Sequence, residues 1–280
     1  MKVSVILLTY NGQQFILEMI TSIIKQSRSV DELIVSDDGS CDNTVQIIKE
    51  FAVKHPNLNL ILLENKKNIG INKNLSKAIK YATGSLLLLA DQDDIWDEFK
   101  VEYFLEVYLK GKHYIISEMD VIDEHGFLFP FTWTEYCLSF TGSSHFIISN
   151  GCATGMSEQF IKTCLPIPPG KAHDVWFGYC AVGLGERYYI DKPLMRYRFN
   201  PEGSSSKIHS KEIKSGKILS KDGLIPRNYS QRINFTKNFY QFKYYKYLFT
   251  RILMLLFFIR VKILWSAFLV KKSSRVSHYE

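Results

Sequence analysis

The sequence predicts an α/β fold: a doubly wound, mostly parallel sheet with a C-terminal basic, hydrophobic helical appendage. Three observations predict it. Within the first 110 residues, four short apolar runs are separated by single stretches of helical spacing; strands joined that way form right-handed crossovers and a parallel sheet. The runs are apolar throughout, as strands buried on both faces are. Three of them end abruptly on polar residues, at Thr9–Gly12, Asp37–Ser40 and Asp91–Asp94. On an open parallel sheet these ends share the carboxyl rim, where ligands bind.

In chain order, VSVILLTY (3–10) is the first strand, and Phe15, Met19, Ile20, Ile23 and Ile24 mark a helix over 13–26. ELIVSDD (32–38) is the second strand, and a helix over 42–54 follows with Asp42 as its cap. LNLILLE (58–64) is the third strand; the next helix, over 70–82, stops at Gly84, read as a C-terminal glycine. SLLLLAD (85–91) is the fourth strand, before a helix near 97–109. Short strands YIISEM, HFIISN, RYYID and PLMRYR then alternate with helices near 157–164 and 173–184. The expected organisation is a domain over 1–200, with halves at about 1–110 and 111–200, a Ser/Lys/Gly-rich loop or linker over 201–231 and a tail over 232–280.

The apolar fraction, 46%, is ample for a core. Five scattered cysteines form no C-x-x-C pair, which argues against a disulfide framework or zinc site and for a reducing compartment. The start, MKVSVILLTY, reads as a strand and not as a signal peptide. The net charge of +7 is an average over unlike parts: residues 205–280 hold 16 Lys and Arg against 3 Asp and Glu, so the tail carries +13 and the body −6. Such a tail suits anionic lipid, nucleic acid or an acidic partner.

The run LLLLADQDDIW (86–96) ends on three carboxylates. Carboxylates that close repel one another unless a cation joins them, and oxygen donors suit Mg²⁺ or Mn²⁺. The alternative is a solvated turn in which Asp94 or Asp97 caps the next helix.

Taken together, SVILLTYNG (4–12), IVSDDGSCDNT (34–44), Asn68/Gly70/Asn74, ADQDDIW (90–96) and HDVWFGYCAVGLG (173–185) resemble the family 2 glycosyltransferases of the GT-A fold, over about residues 3–198. The D-Q-D-D-x-W form with a later H-D-x-W looks most like the rhamnosyltransferase-type branch of bacterial surface-polysaccharide enzymes. The resemblance implies inverting, metal-dependent transfer of rhamnose or a hexose from a dTDP- or UDP-sugar to a hydroxyl of a growing, lipid-linked glycan. It assigns Thr9, Tyr10, Asn11, Asp38, Gly70, Asn74 and Asp91 to the nucleotide-sugar, and Asp93 with Asp91 to Mn²⁺ or Mg²⁺. Asp38 would accept the imide N–H of uracil or thymine, since an ionised carboxylate only accepts. Asp174, at a helix start that favours a carboxylate, becomes the general base, with capping as its other reading. Trp96, Thr154, Gly155 and Trp176 fall on the acceptor side, although either tryptophan also suits a core.

One departure stands out. Where relatives show a Gln-His pair after the strand ending at 198, this chain reads FNPEGSSSK, without histidine until His209. Arg196, Arg198, Asn200 and Lys207 are the substitutes at hand.

The tail stretch ILMLLFFIRVKILWSAFLV (252–270) has the length of a membrane span but carries Arg260 and Lys262 at its centre. Two arrangements fit: attachment of 232–280 to the inner face of the cytoplasmic membrane, or packing on the body or a second subunit. The expected location is cytoplasmic and peripheral; homo-oligomerisation is left open. A nucleotidyltransferase is disfavoured because TYNGQQF holds no basic residue. A non-catalytic carbohydrate- or partner-binding scaffold is the alternative from another class. No nucleic-acid motif is present, and no such partner is expected.

Overall fold

Alternate residues of the apolar runs enter two different cores, and that places the sheet between two helical layers. In the computed structural model, which describes residues 1–141, 150–199 and 260–266, the four runs form β1 (Val3–Thr9), β2 (Glu32–Asp37), β3 (Leu60–Glu64) and β4 (Leu86–Asp91). Between them lie α1 (Ile16–Ile24), α2 (Thr44–Lys54) and α3 (Ile71–Ile79). The strands pair in the order β3-β2-β1-β4, all parallel. Val5 and Leu7 of β1, with Leu86 and Leu88 of β4, join α1 and α2 in one core. Ile6 and Leu8, with Leu87 and Leu89, join α3 in the other. This two-sided burial, worth roughly 1.5–3 kcal/mol for each fully buried aliphatic side chain, explains the absence of polar alternation.

The second half contains β5 (Ile95–Trp96), α4 (Lys100–Leu109), β6 (Tyr114–Ile122), β7 (Leu128–Thr132) and α5 (Trp133–Thr141). A 3₁₀ turn (Gly151–Ala153), β8 (Thr154–Ser157), α6 (Glu158–Cys164), α7 (His173–Leu184) and β9 (Arg187–Arg198) follow. The sheet continues β4-β8-β6-β9-β5, with β7 on β6. Here the expectation of a mostly parallel sheet needs correction. β8 runs antiparallel to both β4 and β6, and β5 and β7 are also antiparallel to their partners; only β6 and β9 pair in parallel. The reversal has a consequence for the site. Because Leu88 faces Gly155 across an antiparallel pair, the turn that precedes β8 lies beside the carboxyl end of β4.

Gly84 is not a helix cap. α3 ends at Ile79, and a Cβ at Gly84 would lie 2.7 Å from the Ser4 backbone nitrogen, so glycine is there for close approach. The strand expected at 145–150 and the linker over 201–231 fall on or largely on residues outside those described. Of the tail, residues 260–266 are described, as a helical turn. Val261 and Trp265 are buried; Trp265 joins the α3/α6/α7 core, donates to Glu186 at 2.9 Å and sits edge-on to His113. Arg260, Lys262, Ile263 and Leu264 are exposed. Among the described residues no helix is long and apolar enough to cross a membrane.

At the amino ends of β1 and β2, buried Glu32 accepts hydrogen bonds from Ser4 and Thr83 and forms an ion pair with Lys2 at 2.8 Å. Burial alone would raise its pKa, but these donors outweigh burial and hold it down at about 2. A depressed carboxyl stabilises above its unfolded pKa and loses that contribution as pH falls through the folded value. Glu32→Gln is therefore expected to cost on the order of 3 kcal/mol at neutral pH. Urea unfolding should show the gap between variant and wild type closing between about pH 4.5 and about pH 2; a gap independent of pH would disprove the assignment.

Candidate active site

β1 is the point where strand order reverses, with β2 on one side and β4 on the other. In open α/β sheets ligands bind at such a switch point, in the cleft outside the carboxyl ends of the strands. In register, Thr9 faces Asp37 and Leu8 faces Asp91, so the polar ends of three strands meet on one rim. Gln92 ties two of the exits together: it accepts from the Tyr10 backbone N–H at 2.8 Å and donates to the Tyr10 carbonyl at 3.0 Å. Gly12 leaves room for that amide, which a Cβ there would strike.

The two aspartates after β2 do different work. Asp37 accepts from the Thr9 hydroxyl, the Ser40 hydroxyl and the Gly39 and Ser40 backbone N–H groups, so it builds the turn. Asp38, almost fully buried, accepts from Asn65 and Ile69 N through Oδ1 and from Gly70 N through Oδ2. Each carboxylate oxygen accepts about two bonds, which leaves Oδ2 one acceptor position for an outside donor. Gly70 adopts φ +89°, a conformation side chains rarely take, and a Cβ there would meet open space. Asn11 stays at the surface of the same rim, holding Ser40 and Cys41, and the Tyr10 ring is exposed.

After β4 the carboxylates crowd. Burial, then the charges of Asp93 and Asp174, push Asp91 up to about 7. Burial also raises Asp93, against the pull of Arg198. Asp94 is raised well above the usual range by burial, then by Asp93 and Asp91. It caps no helix: α4 begins at Lys100, and Asp94 instead accepts the Arg198 backbone N–H at 3.0 Å. Asp97 accepts from Phe99 N just before that helix.

Two buried cations face this group. Arg198 donates to the carbonyls of Asp93, Asp123 and Glu124, forms an ion pair with Glu18 at 2.7 Å and stacks on Phe15. With its donors so engaged, it clamps the acidic turn and does not replace the histidine missing after residue 198. Arg196 is exposed and lines a different cavity with Asp120, Asp97 and Glu98; Asn200 and Lys207 lie outside the described residues. Lys100, with no exposed surface, donates to the Cys152 carbonyl at 2.8 Å, lies 3.2 Å from Met195 Sδ and 4.3 Å above the Trp96 ring. Burial lowers it to about 8, against the attraction of Cys152, Asp94 and Asp91.

These donors fit a hard divalent cation. The Asp93 carboxylate has no hydrogen-bond donor from another described side chain or backbone group, and Asp91 is raised by burial first and then by the charges of Asp93 and Asp174. Both offer the hard oxygen donors that suit Mg²⁺ or Mn²⁺. Ligand atoms of Asp91, Asp94 and Cys152 also lie within 4.8 Å of one another. Burial keeps that thiol protonated, well above its usual range, and Lys100 stands beside it, so this trio fits a cation less well.

Asp174 occupies the first turn of α7, inside the helix and not at its cap, which is Ala172. Its charge is the third contribution to the raised Asp91, after burial and Asp93. His173 is buried, its Nε2 2.6 Å from where a Cβ on Gly151 would stand. Burial lowers its pKa, against Asp174, and its Nδ1 has no hydrogen-bond partner among the described residues.

Several expected ligand contacts are internal. Trp176 is a core residue whose indole N–H donates to the Cys164 carbonyl at 2.8 Å. Trp96 is buried between Lys100 and the first core. Thr154 donates to the Asn150 carbonyl from inside β8, and Gly155 is where Phe104 of α4 packs onto the strand. The four residues expected on the acceptor side therefore build the wall and do not line it. Asn74, expected at the nucleotide, is buried and bonds Ser36 twice and Asn65 once, so it supports Asp38 from behind. The Thr9 hydroxyl is likewise engaged by Asp37, which leaves its backbone. Sequence reasoning missed Lys100, Glu18 and the clamping role of Arg198. For Lys100 a signal existed: it shares a helical face with Phe104 and Val107, an apolar stripe where lysine is out of place.

The sequence model described as glycosyl transferase family 2 matches residues 4–168. An uncharacterized glycosyltransferase of Nostoc sp. is 24% identical over 271 residues, covering 88% of this chain and 83% of the relative. The UDP-Glc:alpha-D-GlcNAc-diphosphoundecaprenol beta-1,3-glucosyltransferase of Escherichia coli is 33% identical over 127 residues, 43% of this chain and 49% of that relative. The match thus spans most of the first relative and about half of the second. In fold, the chain is similar to a mannosyltransferase from Pyrobaculum calidifontis solved with GDP-Man and Mn²⁺, at TM-score 0.57 and 17% identity, over 94% of this chain and 86% of that one.

Trp176→Phe is expected to lose about 1–3 kcal/mol of stability in urea unfolding, because the Cys164 carbonyl is left without its donor. Turnover at saturating substrate should be unchanged; unchanged stability with a raised acceptor KM would return Trp176 to the sugar wall.

Proposed function

The chain belongs to glycosyl transferase family 2, and from that premise we propose that it moves rhamnose or a hexose, with inversion, from a dTDP- or UDP-sugar to a hydroxyl of a growing, lipid-linked cell-surface polysaccharide. The observation that supports this reading is that the strand ends bearing Asp38 and the Asp91–Asp93 turn lie on one rim of the sheet, with the charge of Asp174 bearing on Asp91. A base pocket, a cation site and a proton acceptor are the three things such a transfer needs.

In this reading the pyrimidine lies against Asp38, whose free acceptor position takes the N3–H that uracil and thymine share. The exposed Tyr10 ring offers a stacking face, Asn11 and the Thr9 backbone border the nucleoside, and Gly70 lets it approach closely. Asp91 and Asp93 would hold Mn²⁺ or Mg²⁺, which supplies positive charge to the diphosphate as it leaves. Asp174 takes the proton from the acceptor hydroxyl. The acceptor oxygen bonds to the anomeric carbon, the carbon–phosphate-oxygen bond breaks, and the nucleoside diphosphate departs with the electron pair.

The acceptor is proposed to come from the membrane surface, because the tail carries +13 over residues 205–280. In the described turn, Val261 and Trp265 grip the body while Arg260, Lys262, Ile263 and Leu264 face outward, which suits anionic headgroups. Both arrangements expected for the tail then hold at once: one face on the body, the other on the cytoplasmic leaflet. The E. coli relative named for a diphosphoundecaprenol acceptor supports the same reading.

A calorimetric screen of nucleotide-sugars with and without Mn²⁺ should show tightest binding for UDP- or dTDP-sugars and a clear loss on removing the metal. Asp174→Asn should lower kcat by roughly 10²–10⁴-fold with donor binding intact. Full activity in that variant would remove Asp174 from the reaction, and metal-independent binding would remove the cation.

A further inference from the structure

Lys100 is a lysine with no exposed surface, and no carboxylate lies within ion-pair distance of it among the described residues. Its neighbours are a carbonyl, a thioether and an indole face. Burying an ammonium without a contact partner is costly. A methionine of similar length would fill the same apolar space between Trp96, Phe104 and Met195 without that cost. The cation therefore needs a reason beyond packing.

The reason lies in what surrounds it. The carbonyl it holds belongs to Cys152, in the 3₁₀ turn beside the end of β4, and the thiol of that same Cys152 stands within 4.8 Å of carboxylate oxygens of Asp91 and Asp94, whose charges attract Lys100. Asp91, Asp93 and Asp94 share the turn after β4, and among the described residues Arg198 grips that turn through the Asp93 carbonyl while its backbone N–H donates to Asp94.

We infer that Lys100 is a positioning residue whose buried charge, together with its bond to the Cys152 carbonyl, holds the Asp91–Asp94 turn closed against its own repulsion. It does not touch substrate; it acts through Asp91 and Asp94. The inference rests on the reading of Asp91 and Asp93 as cation ligands only where a metal response is used to test it.

The test is a thermal-unfolding cycle on the full chain, metal-free and with Mn²⁺, using Lys100→Met, Lys100→Arg, Asp94→Asn and the Asp94→Asn/Lys100→Met double variant. Lys100→Met should lower the metal-free Tm by roughly 5–10 °C. Removing the Asp94 charge as well should recover about half of that loss, a non-additive result that shape alone does not produce. Mn²⁺ should raise the Tm of Lys100→Met more than that of wild type, while Lys100→Arg responds as wild type does. If Lys100→Met does not fold, the double variant decides, since it folds only when lost charge balance was the fault. Additive losses, or an unfolded double variant, overturn the proposal. A wild-type protein without any Mn²⁺ response would defeat the cation reading, while the metal-free cycle would still decide the role of Lys100.

Discussion

Negative charge gathered at the end of a buried strand is the constraint around which the rest of this molecule is arranged. β4 is apolar on both faces until Ala90 and then delivers Asp91, Asp93 and Asp94 within four residues. Burial raises all three, and repulsion from neighbouring aspartates adds to it at Asp91 and Asp94, so the turn is held by what lies against it. Arg198 grips its backbone, Lys100 stands behind it, and Gln92 fastens it to Tyr10. Remove those contacts and the rim has no reason to stay closed.

The topology serves this arrangement. β8 must run antiparallel for the Gly151–Ala153 turn to reach the carboxyl rim, and β9 must end beside the acidic turn for Arg198 to reach across it. Asp174, in the first turn of α7, adds its charge to the same group. The Asp38 side of the rim is built by a second, independent network. Asn74 holds Asn65, Asn65 holds Asp38, and Asp38 receives the N–H groups of Ile69 and Gly70. Polar groups held this way lose little mobility when a ligand arrives, which is the advantage of preorganisation.

Much of the rim was legible beforehand because it is local. An apolar run that stops on Asp or Asn marks a strand end, and parallel topology brings strand ends together without further information. What local reasoning misjudged was direction. Trp96, Thr154, Gly155 and Trp176 sit in motifs beside the site, yet their side chains face the core, and a motif does not say which way a residue points. Asp94 looked like a cap until the Arg198 backbone, 104 residues onward, proved to be its donor.

The sequence by itself determined the alternation of buried strands and helices, the shared carboxyl rim and the acidic end of β4, since each follows from the burial preferences of neighbouring residues. Only the tertiary structure decided which acids are structural, which face the cleft, and where the balancing charges come from. The physical reason is that electrostatic and hydrogen-bond partners are chosen by distance in space. Lys100 and Cys152, or Arg198 and Glu18, are remote along the chain and become neighbours only after the sheet has closed.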